Sequence, residues 1–476
     1  MKKKDTSETH PFYTKTTIDY PDLNGLKVML IKPNDFYRKK IMGLGDAYVA
    51  TAMLRCNINV SVLSCDIWSY NDIEIAKILI QSGIKIFAIG AMYPMIKEVI
   101  RICQLIRECV EDALIILGGP LPSPIPEFVL KITKADIAVI GESEFTIPVL
   151  MNAIVKAKDL LNVPGIAFIR DNDFHHTGPP CIPKNVTKDE IGWPSWDLFP
   201  IEKYITAPKF HPFHQHDRVM TISTGRGCPY NCNFCYRVCV YRSRPVFDIL
   251  NEIEFIVDKY NVNGFIFLDD LVMVSEKRVK EFCEEILNRN IKFKYHITGR
   301  INVVNREILR LLKKSGCVSI FYGIESGNQK ILDNIPKKIT IDQIIKAIAI
   351  TREFNIYCEY GLMFGQPGED EKTLHDTVDL VKQLTFGEYC TQKLFGCIPF
   401  PGSKLYEYCK SNQLIKSDED FFNKYMSKDY SLDQIPVNMT NLNNETANRL
   451  FKLANEELES FYKSMISKNW GYIFNQ

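Results

Sequence analysis

Gly225-Arg226-Gly227-Cys228-Pro229-Tyr230-Asn231-Cys232-Asn233-Phe234-Cys235-Tyr236 sets three cysteines in the spacing C-x3-C-x2-C. The stretch follows Val219-Met220-Thr221-Ile222-Ser223-Thr224, a β-branched run that reads as a strand end. Thiolates suit zinc and iron–sulfur clusters. A structural zinc site closes its tetrahedron with four protein ligands, and a cubane cluster in an electron-transfer protein takes four cysteines. Three cysteines in one tight loop would leave one iron of a 4Fe–4S cluster open to a ligand that is not protein. Two alternatives stand beside this: a zinc knuckle completed by Cys239, four residues on, and unrelated core cysteines.

Beyond the loop, apolar runs alternate with helical patterns. Strands are predicted at Gly264–Leu268, Phe293–Thr298, Val318–Tyr322, Tyr357–Phe364 and Gln392–Ile398. Helices are predicted between them at Val246–Tyr260, Glu276–Asn288, Asn305–Ser315, Thr340–Phe354 and Glu371–Leu384. With the strand before the cysteines this makes six βα units over 219–410, too few for an eight-fold barrel and enough for a partial (β/α)6 one. Polar residues follow the strands: Asp269-Asp270, Gly299-Arg300, Gly323-Ile324-Glu325-Ser326-Gly327 and Gly365-Gln366-Pro367-Gly368-Glu369. In barrels, such strand-end residues read as functional. The plain alternative is that Asp269 and Asp270 cap a helix and that Arg300 and Glu325 pair with each other.

Ahead of the loop the alternation runs through 26–158, with strands at Leu26–Ile31, Ile58–Leu63, Ile84–Gly90, Ala113–Leu117 and Asp136–Ile140. The pattern predicts an α/β, doubly wound parallel sheet of Rossmann-like kind. Such sheets bind ligands beyond the carboxyl ends of their strands. There the sequence has Gly43-Leu44-Gly45, Gly118-Gly119-Pro120 and Gly141-Glu142-Ser143-Glu144. The first lacks the third small residue of a G-x-G-x-x-G dinucleotide fingerprint, although a dinucleotide- or response-regulator-like domain stays open. Residues 1–25 read as a polar lead-in and 159–218 as a linker holding a strand at Ile166–Arg170. His211, His214 and His216 in that linker are either solvated or metal-binding. The tail, 411–476, carries a predicted helix at Asn444–Ser467 with Ala447, Leu450, Phe451, Leu453, Ala454 and Leu458 as its apolar positions.

The cysteine loop, with Phe234 just before its third cysteine, resembles the cluster loop of the radical S-adenosylmethionine (radical SAM) enzymes. The glycine loops that precede it resemble the cobalamin-binding domain found ahead of the radical SAM domain in one large subfamily. The resemblance implies a 4Fe–4S cluster on Cys228, Cys232 and Cys235 that cleaves S-adenosylmethionine to a 5′-deoxyadenosyl radical. It assigns Arg300, Glu325 and Phe234 to the carboxylate, ribose and adenine of that ligand. Asp269-Asp270 stands where the wider family has Gly-Gly-Glu, as is typical of the cobalamin-linked group. Gly43, Gly45, Gly118, Gly119, Gly141 and Glu142 would meet the corrin. One departure is clear: no histidine lies between His10 and His175, so the Asp-x-His-x-x-Gly loop of many cobalamin domains is absent.

The activity this implies is methyl transfer to an unactivated carbon or phosphorus centre, in which the radical takes a hydrogen atom from the substrate and methylcobalamin delivers the methyl group. A non-methylating cyclisation or rearrangement with both cofactors is the runner-up. A transfer-RNA methylthiotransferase is the lesser reading, because Cys56, Cys65, Cys103 and Cys109 are expected outside strand-end loops. A cobalamin- or iron-sensing module without turnover is the non-enzymatic alternative. Expected partners are a small-molecule or secondary-metabolite substrate and an external electron donor of flavodoxin or ferredoxin type.

Whole-chain properties agree with a globular enzyme. At 476 residues the chain is long for one domain. Apolar content of 46% and charged content of 24% are ordinary. A net charge of +1 leaves no footprint for nucleic acid. No apolar run is long enough to span a bilayer, and no apolar signal core follows Met1-Lys2-Lys3-Lys4. A cytoplasmic location is therefore expected, with most of the fifteen cysteines acting as small buried hydrophobes.

Overall fold

The computed structural model describes residues 20–34, 40–207, 212–385, 393–426 and 434–473, with side chains as far as 465. The chain forms two units: residues 1–227 with 238–264, and residues 228–237 with 265–476.

The first unit is built on a seven-stranded sheet. Its strands are β1 (Lys27–Lys32), β2 (Asn59–Ser64), β3 (Ile86–Gly90), β4 (Leu114–Gly118), β5 (Ile137–Val139), β6 (Ile166–Arg170) and β7 (Asp173–His176). They lie in the order β2-β1-β3-β4-β5-β6-β7. The first five are parallel, with Val28 facing Val60 on one side and Ile86 on the other. Continuous apolar runs make these strands because both faces are covered: Val28, Met29, Leu30 and Ile31 are all buried. Helix Leu44–Leu54 packs with small residues, Ala50 joining Met53, Ile116, Ile137 and Leu150 in one core cluster. The order β2-β1-β3 places a topological switch point between β1 and β3, and ligands of such sheets enter the crevice there.

The sheet does not end at 158, nor is it parallel throughout. β6 pairs antiparallel with β5, and β7 with β6. Asp171 and Asn172 join β6 to β7 with φ of 52° and 70°, the pair of positive values that a two-residue hairpin turn requires. Asp173-Phe174-His175-His176 carries too little apolar alternation to announce a strand. The hairpin partner supplies the pairing that composition does not. The same unit also contains β8 (Val219–Ile222), β9 (Gly225–Arg226), β10 (Arg242–Ser243) and helix Val246–Tyr260. His214 takes part in a loop turn, its amide donating to Asp217 at 2.8 Å; His211 lies outside the described residues.

The second unit carries β11 (Gly264–Phe267), β12 (Lys294–Gly299), β13 (Cys317–Glu325), β14 (Tyr357–Phe364) and β15 (Phe395–Gly396), neighbours in that order. The pairings from β12 to β15 are parallel. Helices Glu276–Arg289, Arg306–Ser315, Ile341–Glu353 and Glu371–Leu384 connect them. Each helix starts where a cap dictates. Ser275 and Asn305 accept the N3 amide, and Thr340 and Asp370 form reciprocal capping boxes.

Burial alternates along β14. Cys358, Tyr360, Leu362 and Phe364 are buried, while Glu359, Gly361 and Met363 are only partly so. One face of the sheet is thus sealed by helices and the other is open, as in half a barrel. Tyr295 belongs to the sealed face, its ring against Phe267, Phe282 and Phe293 and its hydroxyl 2.7 Å from Ser315 Oγ.

Two expectations are corrected here. The last strand shrinks to two residues, Phe395–Gly396; residue 392, where it was expected to begin, lies outside the described residues. On helix Asn444–Ile473, Leu453 is 47% exposed while Ala447, Leu450, Phe451, Ala454 and Leu458 are buried. The buried stripe is narrower than the apolar one. Among the described residues no helix is long and apolar enough to cross a membrane.

Candidate active site

The cysteine loop needs its leading glycine. Gly227 has φ +70°, and a Cβ there would stand 2.8 Å from the Cys239 carbonyl and 2.9 Å from that of Val240. Within the loop the Cys235 amide reaches the Cys232 carbonyl at 3.4 Å. The Asn233 carbonyl accepts from Leu405 N at 2.9 Å, and its side-chain amide donates to Asn334 O at 3.3 Å. Asn233 therefore anchors the loop, leaving Cys228 and Cys232 half-buried and Cys235 exposed as free thiols. Phe234 beside them is half-buried. Among the described residues no group of three His, Cys, Asp or Glu side chains closes on a single metal ion.

At the strand ends of the second unit Arg300 and Glu325 do not pair with each other. Lys337 stands between them. Its ammonium donates to Glu325 Oε1 at 2.6 Å, and its carbonyl accepts from Arg300 Nη2. All three are buried. The Arg300 guanidinium lies 3.5 Å from the ring centre of Tyr230, in the cysteine loop, a cation–π contact. Glu325 sits at a register break between β13 and β14 with φ +71°. A non-glycine residue held in that region costs of order 1–3 kcal/mol and is typical of ligand clamps. The glycine before it is explained by the ion pair. A Cβ on Gly323 would stand 2.5 Å from Glu325 Oε1 and 2.6 Å from Lys337 Nζ. Asp269 is buried and Asp270 exposed, and neither caps the following helix, whose cap is Ser275.

The loop after β14 is shaped by its own acid. Glu369 Oε2 accepts from the amides of Gly365 and Gln366, each at 2.6 Å. Burial pushes its carboxyl up to about 8, against the pull of those two donors. Segment 434–442 lies alongside, with Asn441 N donating to Glu369 O at 2.8 Å.

In the first unit the glycines at the carboxyl ends of the sheet fall into two classes. Gly119 and Gly141 have φ of +86° and +68°, so their own backbones require glycine. Gly43, Gly45 and Gly118 do not. A Cβ on Gly45 or Gly118 would meet nothing within 4 Å, and one on Gly43 would make only an ordinary 3.7 Å contact with Lys32. Neither strain nor packing accounts for them.

The switch point itself is polar. Lys32, at the end of β1, donates to Asp66 and, at 3.3 Å, to the Ile41 carbonyl, while Tyr204 Oη donates to Asp66 Oδ1 at 2.7 Å. Asp46 beside them is pushed up to about 7 by burial and by Asp66, against the Lys32 charge. Cys65 is the first residue of the short helix Cys65–Trp68 that follows β2, while Cys103 lies in helix Ile96–Cys109 and Cys109 ends it. Glu142, expected beside a cofactor, is engaged by Arg226 and Arg242.

Sequence reasoning missed Lys337, Tyr230, Arg226 and Arg242. Lys337 sits in an Ile-Pro-Lys-Lys turn with no chemical signature. Arg226 precedes the first cysteine and Arg242 follows the third, with no spacing that marks them as a pair.

Residues 222–381 match the Radical SAM superfamily. The chain is 27% identical over 448 residues to an uncharacterised methyltransferase of Pyrococcus horikoshii, a match covering 92% of each chain. It is 31% identical over 307 residues to the anaerobic magnesium-protoporphyrin IX monomethyl ester cyclase of Cereibacter sphaeroides, covering 61% of this chain and 48% of the cyclase, so it spans about half of that relative's length. Among solved structures, the radical S-adenosylmethionine methyltransferase TsrM of Kitasatospora setae, with cobalamin and a [4Fe-4S] cluster bound, superposes with a TM-score of 0.65 at 18% identity. That match covers 81% of this chain and 78% of TsrM, and it is a likeness of fold. The three-cysteine loop and the strand ends that carry Arg300 and Glu325 both lie within residues 222–381, the part of the chain that matches the Radical SAM superfamily.

Proposed function

We propose that this protein is a cobalamin-dependent radical SAM methyltransferase acting on an unactivated carbon or phosphorus centre of a small molecule. The observation that carries the reading is the three-thiol loop whose Tyr230 stacks on Arg300, joining the cysteines to the charged strand ends of one half-barrel.

The residues fit the groups the reading requires. Cys228, Cys232 and Cys235 are free and at least partly accessible, and would hold three irons of a cluster. Gly45 and Gly118 leave room at the carboxyl ends of the first sheet, with nothing within 4 Å of where a side chain would begin, and Gly43 meets only Lys32 at 3.7 Å, which suits the close approach of a large planar cofactor. When bound, the cluster and cobalamin supply a one-electron cleavage of S-adenosylmethionine and a transferable methyl group. The protein supplies placement. Arg300 is oriented by the Lys337 carbonyl and the Tyr230 face, with Nε left without a partner, so one edge of its planar fork can take a carboxylate. Glu325, held by Lys337 in a strained backbone, presents an acceptor for a ribose hydroxyl. Asp269 and Phe234 line the same reading. Turnover needs an external one-electron donor of flavodoxin or ferredoxin type.

A second reading, a ring-forming radical reaction without methyl transfer, is favoured by the 31% identity to the cyclase. Mass analysis of a turnover assay separates the two. Equal 5′-deoxyadenosine and S-adenosylhomocysteine mark methylation, and the first without the second marks the cyclase-like outcome. Cys228→Ala, Cys232→Ala or Cys235→Ala abolishes 5′-deoxyadenosine on this proposal, and full activity in any one of them sinks it. Anaerobically reconstituted protein retains cobalamin through gel filtration. If it loses the corrin yet still cleaves S-adenosylmethionine, the cobalamin half of the reading fails alone.

A further inference from the structure

The cysteine loop hangs from a two-residue stem. β9 pairs antiparallel with β10, and Arg226 stands directly opposite Arg242. A two-stranded ribbon is marginal by itself, and like charges placed opposite each other on neighbouring strands work against it. What neutralises them comes from the loop after β5. Glu142 accepts from Arg226 Nη1 at 2.5 Å and from Arg242 Nη2, and Glu144 accepts from Arg226 Nη2. The Arg226 guanidinium also lies 4.8 Å from the ring centre of Tyr48.

This is a buried arrangement. The side chains of Glu142 and Glu144 are 6% exposed, and those of Arg226 and Arg242 are 15% and 13%. Removing one partner from such a group leaves a charge stranded away from water. Burial raises Glu144, but Arg226 outweighs burial and holds the carboxyl below its ordinary value. Gly225 lets the stem close, since a Cβ there would stand 2.7 Å from the Arg242 carbonyl. Just past the stem, Arg244 donates to the Ser223 carbonyl at 2.8 Å and to the Asp248 and Glu252 carboxylates, each at 2.6 Å. The exit of the loop is thereby tied to its entry.

We infer that Glu142 is a positioning residue for the iron–sulfur loop: it neutralises the Arg226–Arg242 pair and so closes the stem that carries Cys228, Cys232 and Cys235. The identity of the cluster rests on the function proposed above; the stem argument does not. Glu142 thus acts on the cysteines through the two arginines that flank them in the chain.

The test uses the full chain, reconstituted anaerobically with iron and sulfide, as wild type, Glu142→Gln, Arg242→Gln and the double variant. Loss of iron to a chelator is followed by the visible absorbance of the cluster. Glu142→Gln is expected to lose iron about tenfold faster, as stranding a buried charge implies. Adding Arg242→Gln to it should slow the loss again, because the unneutralised pair is gone. A residue that merely contributed hydrogen bonds would make the double variant worse than either single one. That result, or wild-type retention in Glu142→Gln, overturns the inference.

Amide hydrogen exchange on cluster-free protein keeps the two readings apart. Exchange at 225–227 and 242–244 should rise in Glu142→Gln and fall back in the double variant, whether or not a cluster assembles, and unchanged exchange refutes the stem. Wild type that takes up no cluster refutes the proposed function instead.

Discussion

Glu369 and Glu144 are both buried carboxyls, and folding moves them in opposite directions. Glu369 has only two backbone amides for company, and burial wins, raising it from 4.5 to about 8. Because the folded value lies above the unfolded one, the stabilisation it brings is complete below about 4.5 and is lost as pH climbs through about 8. Glu369→Gln keeps an acceptor for the amides of Gly365 and Gln366 and removes the titration. We expect that variant to match wild type in urea at pH 4 and to exceed it at pH 9; equal differences at both pH values would contradict the assignment.

Glu144 shows the reverse sign. Arg226 depresses it, so its contribution is present above the ordinary carboxylate value of 4.5 and fades as pH falls through the lowered one. Glu144→Gln should therefore flatten the acid limb of the unfolding curve and lower stability at neutral pH. At this scale the sequence displayed the Glu-Ser-Gly and Pro-Gly-Glu motifs but not their reasons. Gly323 is glycine because an ion pair occupies the space of its side chain, and no local pattern encodes that.

The element whose reading gained most from the structure is helix Asn444–Ile473. Its period was visible, but not its partner. Phe451 stacks on Phe364 of β14 with ring centres 6.2 Å apart, and Asn455 pairs with both backbone groups of Leu394, accepting at 2.9 Å and donating at 3.2 Å. The helix thus covers the outer end of the half-barrel sheet where β15 would otherwise present open hydrogen-bonding groups. Phe451→Ala should cost about 3–5 kcal/mol, the usual range for emptying a buried aromatic site. Asn455→Ala should cost about 1–3 kcal/mol, for a strand end left unpaired. Denaturant midpoints check both, and a change below about 0.5 kcal/mol in either, the ordinary range for a surface substitution, would show the helix to be loosely held.

Among the strands, those with apolar runs or alternation were legible to within one or two residues, except β13, which runs three residues past its expected end to Glu325, and β15, which shrinks to Phe395–Gly396. β7 was not, because Asp173-Phe174-His175-His176 is strand only by pairing with β6. The capped helices were the most legible elements of all, since Asn305, Thr340 and Asp370 carry their start signals locally.

At the scale of the whole molecule, Cys228, Cys232 and Cys235 lie outside every helix and strand of the described residues. Removal of iron should therefore abolish 5′-deoxyadenosine formation while leaving far-ultraviolet circular dichroism unchanged. A large loss of helical signal on chelation would mean that the metal is part of the fold, as it is in small zinc domains.

The sequence by itself determined the chemistry and the repeat. Three thiols within eight residues, two runs of βα alternation and glycine at strand ends are all local facts, written within a few residues of one another. Only the tertiary structure decided which charges meet. Glu142 reaches Arg226 across 84 residues and Arg242 across 100, and Lys337 comes to Glu325 through a turn that carries no signature. Ion pairs of this kind have no period and no spacing rule. They exist because two buried charges that found no partner would cost more than the fold could bear, and the identity of the partner is settled by packing, not by the chain's local order.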